Sequence, residues 1–211
     1  MRKLLLIGGG GHCLAVADSA SRRGVWDKIG IIDHKRADAL AGFPVVGKDE
    51  DLAVLFAEGW QEAFVSLGSV KTEDVVLREL RYKTTKQIGF SFPAILDPTA
   101  VIATDAVIED GVYVGKCAVV NSNAYIGECA IINTGAIIEH NCQVGEFCHI
   151  SPGAVLCGHV CVGEGTHIGA GSVVRQELTI GRNVLIGMGS VVVKDISDAV
   201  KAYGNPCKEV E

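Results

Sequence analysis

Branched aliphatic residues recur at every sixth position through the C-terminal half of this chain. The series begins at Leu96 and ends at Val192, and each of its positions holds Ile, Val or Leu without an insertion. A period of six is not that of an α-helix, whose apolar face repeats every 3.6 residues. The repeat must therefore be the structural unit of this part of the chain.

A second, mostly small residue stands two positions before each aliphatic residue, as in Ala124, Ala136 and Ala154. Positions two apart share one face of an extended strand, so both point inward, and the rest of each hexad must turn a corner. Glycine often follows the aliphatic residue, where it tolerates unusual dihedrals. Such a chain winds into a solenoid. A β-sandwich would not keep one register for so many steps. The pattern resembles the left-handed parallel β-helix of hexapeptide-repeat acyltransferases, in which three hexads form one coil.

Three hexads per coil bring residues 18 apart into register on neighbouring coils, about 4.8 Å apart. This rule places several polar or small residues in vertical pairs: Gly158 over His140, Cys157 over Glu139, His159 over Asn141, and His167 over His149.

The first ninety residues show a different pattern, in which short apolar runs alternate with helical segments. Strands are predicted at 3–7, 29–32 and 63–67, and helices at 13–23, 49–58 and 72–82. This alternation predicts a small, parallel, Rossmann-like α/β sheet. The charge also divides unevenly, since residues 1–92 hold 13 basic and 12 acidic side chains and residues 93–211 hold 6 and 13. We therefore expect a Rossmann-like domain over 1–92 and an all-β β-helix over 93–211.

Four glycines follow the first strand and precede the first helix. Gly8-x-Gly10 begins a dinucleotide fingerprint, but Cys13 stands where its last glycine belongs, and ninety residues are too few for a whole dinucleotide fold. Backbone N–H groups at such a turn bind anions, which favours a nucleotide diphosphate. A purely structural glycine turn is the alternative. The predicted substrate-binding residues are Gly8, Gly10, Gly11, His12, Asp33 and Gly68.

The formal charge of −6 argues against a nucleic-acid-binding protein. No apolar run is long enough for a membrane span, and the N-terminus does not have the pattern of a signal peptide, so we expect a cytoplasmic protein that does not bind membranes. The eight cysteines are then expected to be reduced. Cys157 and Cys161 flank His159, but their spacing is not that of a zinc site, and no metal is predicted.

Four segments give a closer resemblance: GGGGH at 8–12, NTGAIIEH at 133–140, HISPGA at 149–154 and GNPCK at 204–208. Together they resemble bacterial sugar acetyltransferases of the sialic-acid O-acetyltransferase and PglD type. The resemblance implies a homotrimer that binds acetyl-CoA along the β-helix and a nucleotide-linked sugar at the N-terminal domain. It further implies N-acetylation of an amino-deoxysugar for surface-glycan biosynthesis, with O-acetylation of sialic acid or a related sugar as the alternative.

The resemblance implies that His140 is the general base, and histidine suits this role because it titrates near neutral pH. Stacking places Gly158 above His140, where its N–H can donate to an oxyanion. Asn133 and His149 match family positions that line the same site. Many relatives carry an acid after the catalytic histidine, whereas this chain has Asn141. Either Glu139 or Asn141 could orient the ring.

Acetyl-CoA is expected to lie along stacked coils, with its phosphates near basic side chains. The predicted cofactor-binding residues are His149, Gly158, Ala170, Gly171, Arg175 and Lys208. Lys208 matches the family best among the basic residues, although a solvated tail lysine is an alternative.

Three other functions are compatible with parts of the pattern. Cys157 could be the nucleophile of a ping-pong acyltransferase, but direct attack on a thioester needs no protein nucleophile. His149 and His167 could bind zinc, as in β-helix carbonic anhydrases, but the amino domain would then have no role. The chain could also bind a nucleotide-linked sugar without catalysis.

Overall fold

The N-terminal residues form a four-stranded parallel sheet with helices on its faces in the computed structural model, which describes residues 1–35 and 38–210. Its elements are β1 (Lys3–Ile7), α1 (Gly11–Arg23), β2 (Lys28–Ile32), β3 (Val45–Gly47), α2 (Leu52–Ala57), β4 (Glu62–Val65) and α3 (Thr72–Ile88). The strand order is β3-β2-β1-β4, which confirms the Rossmann-like prediction.

Three details of this domain differ from the prediction. The helix expected over 49–58 is a 3₁₀ turn at Asp49–Asp51 followed by the short α2. The third helix continues to Ile88, six residues beyond its predicted end. β3 was not predicted, because an edge strand of three half-buried residues leaves little periodicity to detect.

The C-terminal part is a β-helix of seventeen two-residue strands, β5 to β21, each of which ends on a residue of the hexad series. In chain order these strands are Ile95–Leu96, Val101–Ile102, Val107–Ile108, Tyr113–Val114, Val119–Val120, Tyr125–Ile126, Ile131–Ile132, Ile137–Ile138, Gln143–Val144, His149–Ile150, Val155–Leu156, Cys161–Val162, His167–Ile168, Val173–Val174, Thr179–Ile180, Leu185–Ile186 and Val191–Val192. A hairpin of β22 (Lys201–Gly204) and β23 (Cys207–Val210) closes the described part of the coil.

The strands of the coil form three parallel sheets, in which each strand pairs with the strand 18 residues away. His149, for example, pairs with Ile131 below and His167 above. The aliphatic residues and the small residues two positions earlier share one buried core. This arrangement confirms the predicted left-handed β-helix.

The glycine that follows the aliphatic residue has a different role from the predicted one. It does not have a positive φ, which occurs instead at the third residue after the aliphatic, as in Gly153 (φ 66°) and Asn141 (φ 59°). A Cβ on Gly145 would lie 2.7 Å from the backbone N of Glu164 on the next coil. Glycine is needed there because the backbones of neighbouring coils approach closely.

The N-terminal domain packs on the eight-stranded sheet of the β-helix. Leu4 and Leu6 of β1 share a buried cluster with Ile95, Tyr113 and Ile131 of that sheet. The predicted domain boundary after residue 92 falls between α3 and β5, and it stays a prediction. Within the described residues, no helix has the length and apolar character needed to cross a membrane.

Candidate active site

The glycine turn after β1 leaves the start of α1 open. The Gly9 N–H donates to Asp33 Oδ2 over 2.7 Å, and Asp33 thereby ties the end of β2 to the turn. Gly10 and Gly11 are exposed, and a Cβ on either would meet no atom within 4 Å. No side chain caps α1 and no acidic residue occupies its first turn. The N–H groups of Gly10 and Gly11, at the positive end of this thirteen-residue helix, can bind an anion.

A small cavity of about 70 Å³ lies beside this turn at the carboxyl edge of the sheet. Ligands of open parallel sheets bind at this edge. Arg81 of α3 donates to Asp49 over 2.7 Å at the cavity. The cavity is lined by Ile7, Gly8, Ile32, Asp33, His34, Asp49, Leu67, Leu77 and Arg81. Gly68 is exposed and lies beside His12, because a Cβ placed on this glycine would be 3.6 Å from the Cβ of His12.

Two stacked histidines of the β-helix contact the loop between β4 and α3. The Ser69 carbonyl accepts from Nδ1 of His149 over 2.6 Å and from Nδ1 of His167 over 3.0 Å. Because a carbonyl can only accept, both rings carry a proton on Nδ1. Their Nε2 atoms then accept from Asn133 Nδ2 over 3.0 Å and from Ser151 Oγ over 3.1 Å. Both rings are therefore neutral and fully hydrogen-bonded, which leaves no free nitrogen for zinc.

His12 faces this pair from the N-terminal domain. Its ring lies 5.3 Å from that of Tyr113 and 6.5 Å from that of His149. The Nε2 atom of His12 is buried and has no hydrogen-bond partner among the described residues. Burial, with smaller contributions from His149 and Arg78, lowers the pKa of His12 to about 3, so the ring is neutral. A buried nitrogen without a partner can serve a ligand that enters between the two domains.

These histidines are expected to make the fold sensitive to acid. Burial lowers the pKa of His149 to about 4, whereas an unfolded histidine titrates near 6.5. Between these pH values the unfolded chain binds a proton that the folded chain does not, so the free energy of unfolding falls as the pH falls. The titration of His149 accounts for at most about 3 kcal/mol of this fall in the free energy of unfolding. Urea titrations at about pH 7.5 and about pH 4.5 measure the loss. Between these two pH values, the free energy of unfolding of His149→Phe should fall by less than that of the wild type. An equal fall would contradict the assignment of the acid sensitivity to His149.

His140 lies on a different edge of the coil, at the corner between the six-stranded and the five-stranded sheets. A Cβ on Gly158 would lie 2.6 Å from His140 Cε1 and 2.7 Å from its Nε2, so a larger residue there would displace the ring. The predicted stacking of these two residues is therefore present in the structure. The side chain of His140 is exposed, which leaves its free ring edge open to a ligand.

The two candidates for orienting His140 differ in their contacts. Asn141 Nδ2 lies 2.9 Å from His140 Nδ1. Glu139 Oε2 instead accepts from Asn121 Nδ2 over 3.1 Å and from the backbone N–H of His140 over 3.3 Å. Glu139 thus holds the backbone of the corner, and Asn141 contacts the ring.

The predicted cofactor residues are spread along the coil. Ala170 and Gly171 are exposed at the corner between the eight-stranded and six-stranded sheets. Arg175 is exposed on the corner that also carries Gly158, and Lys208 is exposed in β23 opposite Tyr203. Within one chain, the predicted site residues therefore lie on the N-terminal domain and on two edges of the β-helix.

A cavity of about 530 Å³ is lined by none of the predicted site residues. It lies between the start of α3 with its preceding loop and the upper coils, and its polar side chains are those of Lys71, Glu73, His167, Asn183 and Lys201. It does not reach the glycine turn or His140.

Ser69 and Arg78 are the main site-supporting residues that the sequence did not predict. Arg78 is 1% exposed and donates to Ser69 Oγ and Phe147 O over 3.1 Å each, and to Cys129 O. Nothing in the helical pattern of α3 separates Arg78 from its exposed charged neighbours.

The described residues contain no cluster of His, Cys, Asp and Glu that could hold a metal ion, and all eight cysteines are free.

Comparisons with known proteins agree with the two-part architecture. Residues 3–80 match the PglD N-terminal domain family, and residues 123–158 and 141–176 match the bacterial transferase hexapeptide family of six repeats. Comparison with curated proteins gives no match.

Solved structures match the whole chain. The acetyltransferase domain of PglB from Neisseria gonorrhoeae FA1090 is 34% identical, with all of both chains covered and a TM-score of 0.94. The same domain in complex with acetyl coenzyme A is 33% identical over 99% of each chain, with a TM-score of 0.91. PerB from Caulobacter crescentus, solved with CoA and GDP-perosamine, is 35% identical over 100% of this chain and 98% of its own, with a TM-score of 0.93.

Proposed function

We infer that this chain, which belongs to the PglD type of hexapeptide-repeat sugar acetyltransferases, transfers the acetyl group of acetyl-CoA to the amino group of a nucleotide-linked amino-deoxysugar. Acetyl transfer is the activity of the family. PerB, described as a perosamine N-acetyltransferase, was solved with CoA and a GDP-linked sugar, which supports the choice of both substrates. We place the reaction in the cytoplasm, where acetyl-CoA is available.

The observation that carries this proposal is the open N-terminus of α1 next to the buried face of His12. The N–H groups at Gly10 and Gly11 suit a diphosphate. The cavity at Asp33 then takes the nucleoside, and the sugar extends toward His12 and the β-helix. This direction follows from the lining of the cavity, which includes Asp33 but not His12, and from the position of the His12 ring beside Tyr113 and His149 of the β-helix.

The chemistry assigned to the β-helix is direct transfer. The sugar amine attacks the thioester carbonyl, His140 accepts the proton of the amine, and the thiolate of CoA leaves and is protonated by the imidazolium. The Gly158 N–H stabilises the oxyanion, an interaction whose loss typically costs about 3–4 kcal/mol. Asn141, which contacts the ring, orients it in place of the acid found in many relatives.

Two chains are needed to complete this site. His140 lies at one edge of the six-stranded sheet, while Ala170 and Gly171 lie at the other edge, on the corner that also carries Asn133. Packing the β-helices of three chains around an axis brings one edge of each β-helix against the other edge of its neighbour. We therefore propose a homotrimer in which acetyl-CoA lies between the β-helices of adjacent chains, near His149, Gly158, Ala170, Gly171, Arg175 and Lys208.

Light scattering of the purified protein is expected to give about three times the 22.2 kDa mass of one chain. A dilution series with parallel activity measurements links mass to turnover. A monomer at micromolar concentration that retains full activity would contradict a site shared between chains.

A thiol-release assay tests the function directly. The panel contains UDP-, TDP- and GDP-linked amino-deoxysugars, with sialic acid to represent O-acetylation. We expect CoA release with at least one nucleotide-linked amino sugar and a product that resists mild base, as amides do and acetyl esters do not. Turnover of sialic acid alone would support the O-acetyltransferase alternative. Binding of a nucleotide-linked sugar without CoA release would support the non-catalytic one.

Asp33→Ala is expected to raise KM for the nucleotide-linked sugar and to leave KM for acetyl-CoA nearly unchanged. Asp33 holds the Gly9 N–H over 2.7 Å and lines the cavity assigned to the nucleoside. Loss of one hydrogen bond to a charged group corresponds to about a tenfold rise in KM for the nucleotide-linked sugar. Steady-state kinetics with each substrate varied in turn measures both constants. Equal changes in the two KM values would indicate a folding defect.

A further inference from the structure

The solenoid stacks three side chains beside His140 along one edge. Asn123, Asn141 and His159 are 18 residues apart and share a left-handed backbone, with φ of 57°, 59° and 62°. We refer to these three residues as the corner ladder. Because the coils repeat, the ladder places one amide, Asn141, between an amide below and an imidazole above.

The amide of Asn141 is hydrogen-bonded on both ends. Asn123 Nδ2 donates to Asn141 Oδ1 over 2.5 Å. Asn141 Nδ2 donates to His140 Nδ1 over 2.9 Å and approaches His159 Nε2 at 3.4 Å. The two imidazole rings lie edge to face, 5.3 Å apart. A nitrogen that accepts a hydrogen bond carries no proton, so this arrangement leaves the proton of neutral His140 on Nε2.

The position of that proton matters because Nε2 is the reactive nitrogen. Nδ1 faces Asn141, whereas the Cε1–Nε2 edge lies next to Gly158. A base at Nε2 needs the proton on Nδ1 and an acceptor opposite it. A carboxylate offers only acceptors, but an amide offers either, depending on a rotation of 180°. At this position an asparagine therefore controls the tautomer of the histidine.

We propose that the corner ladder is a tautomer switch for His140, a role that rests on the proposed function of this ring as the base. In the free enzyme, Asn123 holds the Asn141 amide with its nitrogen toward the ring, and His140 carries its proton on Nε2. Rotation of both amides turns Asn141 Oδ1 toward His140 Nδ1 and His159 Nε2, and Asn141 Nδ2 toward Asn123 Oδ1. Each hydrogen bond is replaced by one of opposite polarity. Both rings are exposed, so water takes the proton from His140 Nε2 and supplies one to His140 Nδ1, and it moves the proton of His159 from Nδ1 to Nε2 in the same way. His140 Nε2 then becomes the free base.

The neighbouring acid does not replace the ladder. Glu139 Oε2 is engaged by Asn121 and by the backbone N–H of His140, and it does not contact the ring. Asn123 is thus a positioning residue that acts on His140 through Asn141.

An aspartate in place of Asn123 fixes the switch in one state. A carboxylate accepts only, so Asn123→Asp turns Asn141 Nδ2 downward and Asn141 Oδ1 toward His140. The left-handed backbone at position 123 accommodates Asp. Asn141→Asp provides the matched control, because a carboxylate directly against Nδ1 must hold the proton there.

Nitrogen-15 correlation spectra of histidine-labelled, substrate-free protein at about pH 8, where histidine is neutral, read the tautomer. His140→Ala identifies the signals of His140. We expect a protonated Nε2 in the wild type and a protonated Nδ1 in Asn123→Asp and Asn141→Asp. A protonated Nδ1 in the wild type, or an unchanged tautomer in Asn123→Asp while Asn141→Asp shifts it, would overturn the proposal.

Kinetics give a second readout. Asn123→Asp removes the rotation from the cycle, and we expect kcat to rise by about 2- to 10-fold, the effect of one net hydrogen bond. KM for acetyl-CoA should not change. A lowered kcat with the expected tautomer would overturn the role of the switch in turnover. If no sugar is acetylated at all, the proposed function fails, and the spectra still decide the tautomer.

Discussion

Replacing His140 with alanine is expected to lower kcat by about 10²- to 10⁴-fold, the range typical for loss of a general base. The residue is exposed at its corner, and the Cε1–Nε2 edge of its ring packs against Gly158. KM for acetyl-CoA should change little, because the base acts on the amine. Steady-state kinetics and circular dichroism of the folded variant together measure the effect.

The pH dependence separates a base from a merely structural histidine. The wild-type rate should rise with pH through the titration of histidine and then level off, and this limb should be absent in His140→Ala. Added imidazole should restore part of the activity, because the variant leaves a gap beneath Gly158 at an exposed corner. If His140→Ala keeps more than about a third of the wild-type kcat, the general-base assignment is wrong.

The β-helix could be predicted residue by residue because one periodicity sets it. Each step of six ends a strand, and each step of 18 stacks a residue on its neighbour, so Gly158 over His140 follows from counting alone. The same rule paired His149 with His167. A solenoid has only nearest-neighbour contacts, which makes its geometry local in sequence.

The contacts between the two domains could not be predicted in this way. The Ser69 carbonyl accepts from two histidines that lie 80 and 98 residues away. No spacing rule relates a loop of the α/β domain to a coil of the β-helix. Donor and acceptor roles within the corner ladder are equally invisible in the sequence, because asparagine offers both from one side chain.

Arg78 shows how much of the domain junction depends on such a contact. Its guanidinium is buried and donates to Ser69 Oγ and to the carbonyls of Phe147 and Cys129. Burial lowers the pKa of Arg78 to about 10, so it remains charged at neutral pH. Burial also raises the pKa of the neighbouring Cys129 thiol to about 12, so the thiol is neutral. The charge of Arg78 is thus balanced by hydrogen bonds to uncharged oxygens.

Arg78→Leu is therefore expected to lower the free energy of unfolding by about 3–5 kcal/mol. Each buried oxygen that loses its donor costs about 1–3 kcal/mol, and relief of the buried charge offsets part of this sum. Arg182→Leu is the matched control, since Arg182 is exposed and lies 3.7 Å from Glu164, a surface pair worth about 0–1 kcal/mol. Urea unfolding at constant m-value compares the variants. Because Phe147 precedes His149 on the same coil and Cys129 lies on the coil below, Arg78→Leu should also speed hydrogen exchange at the junction while the upper coils stay protected. Equal losses in the two arginine variants would show that the junction does not depend on this guanidinium.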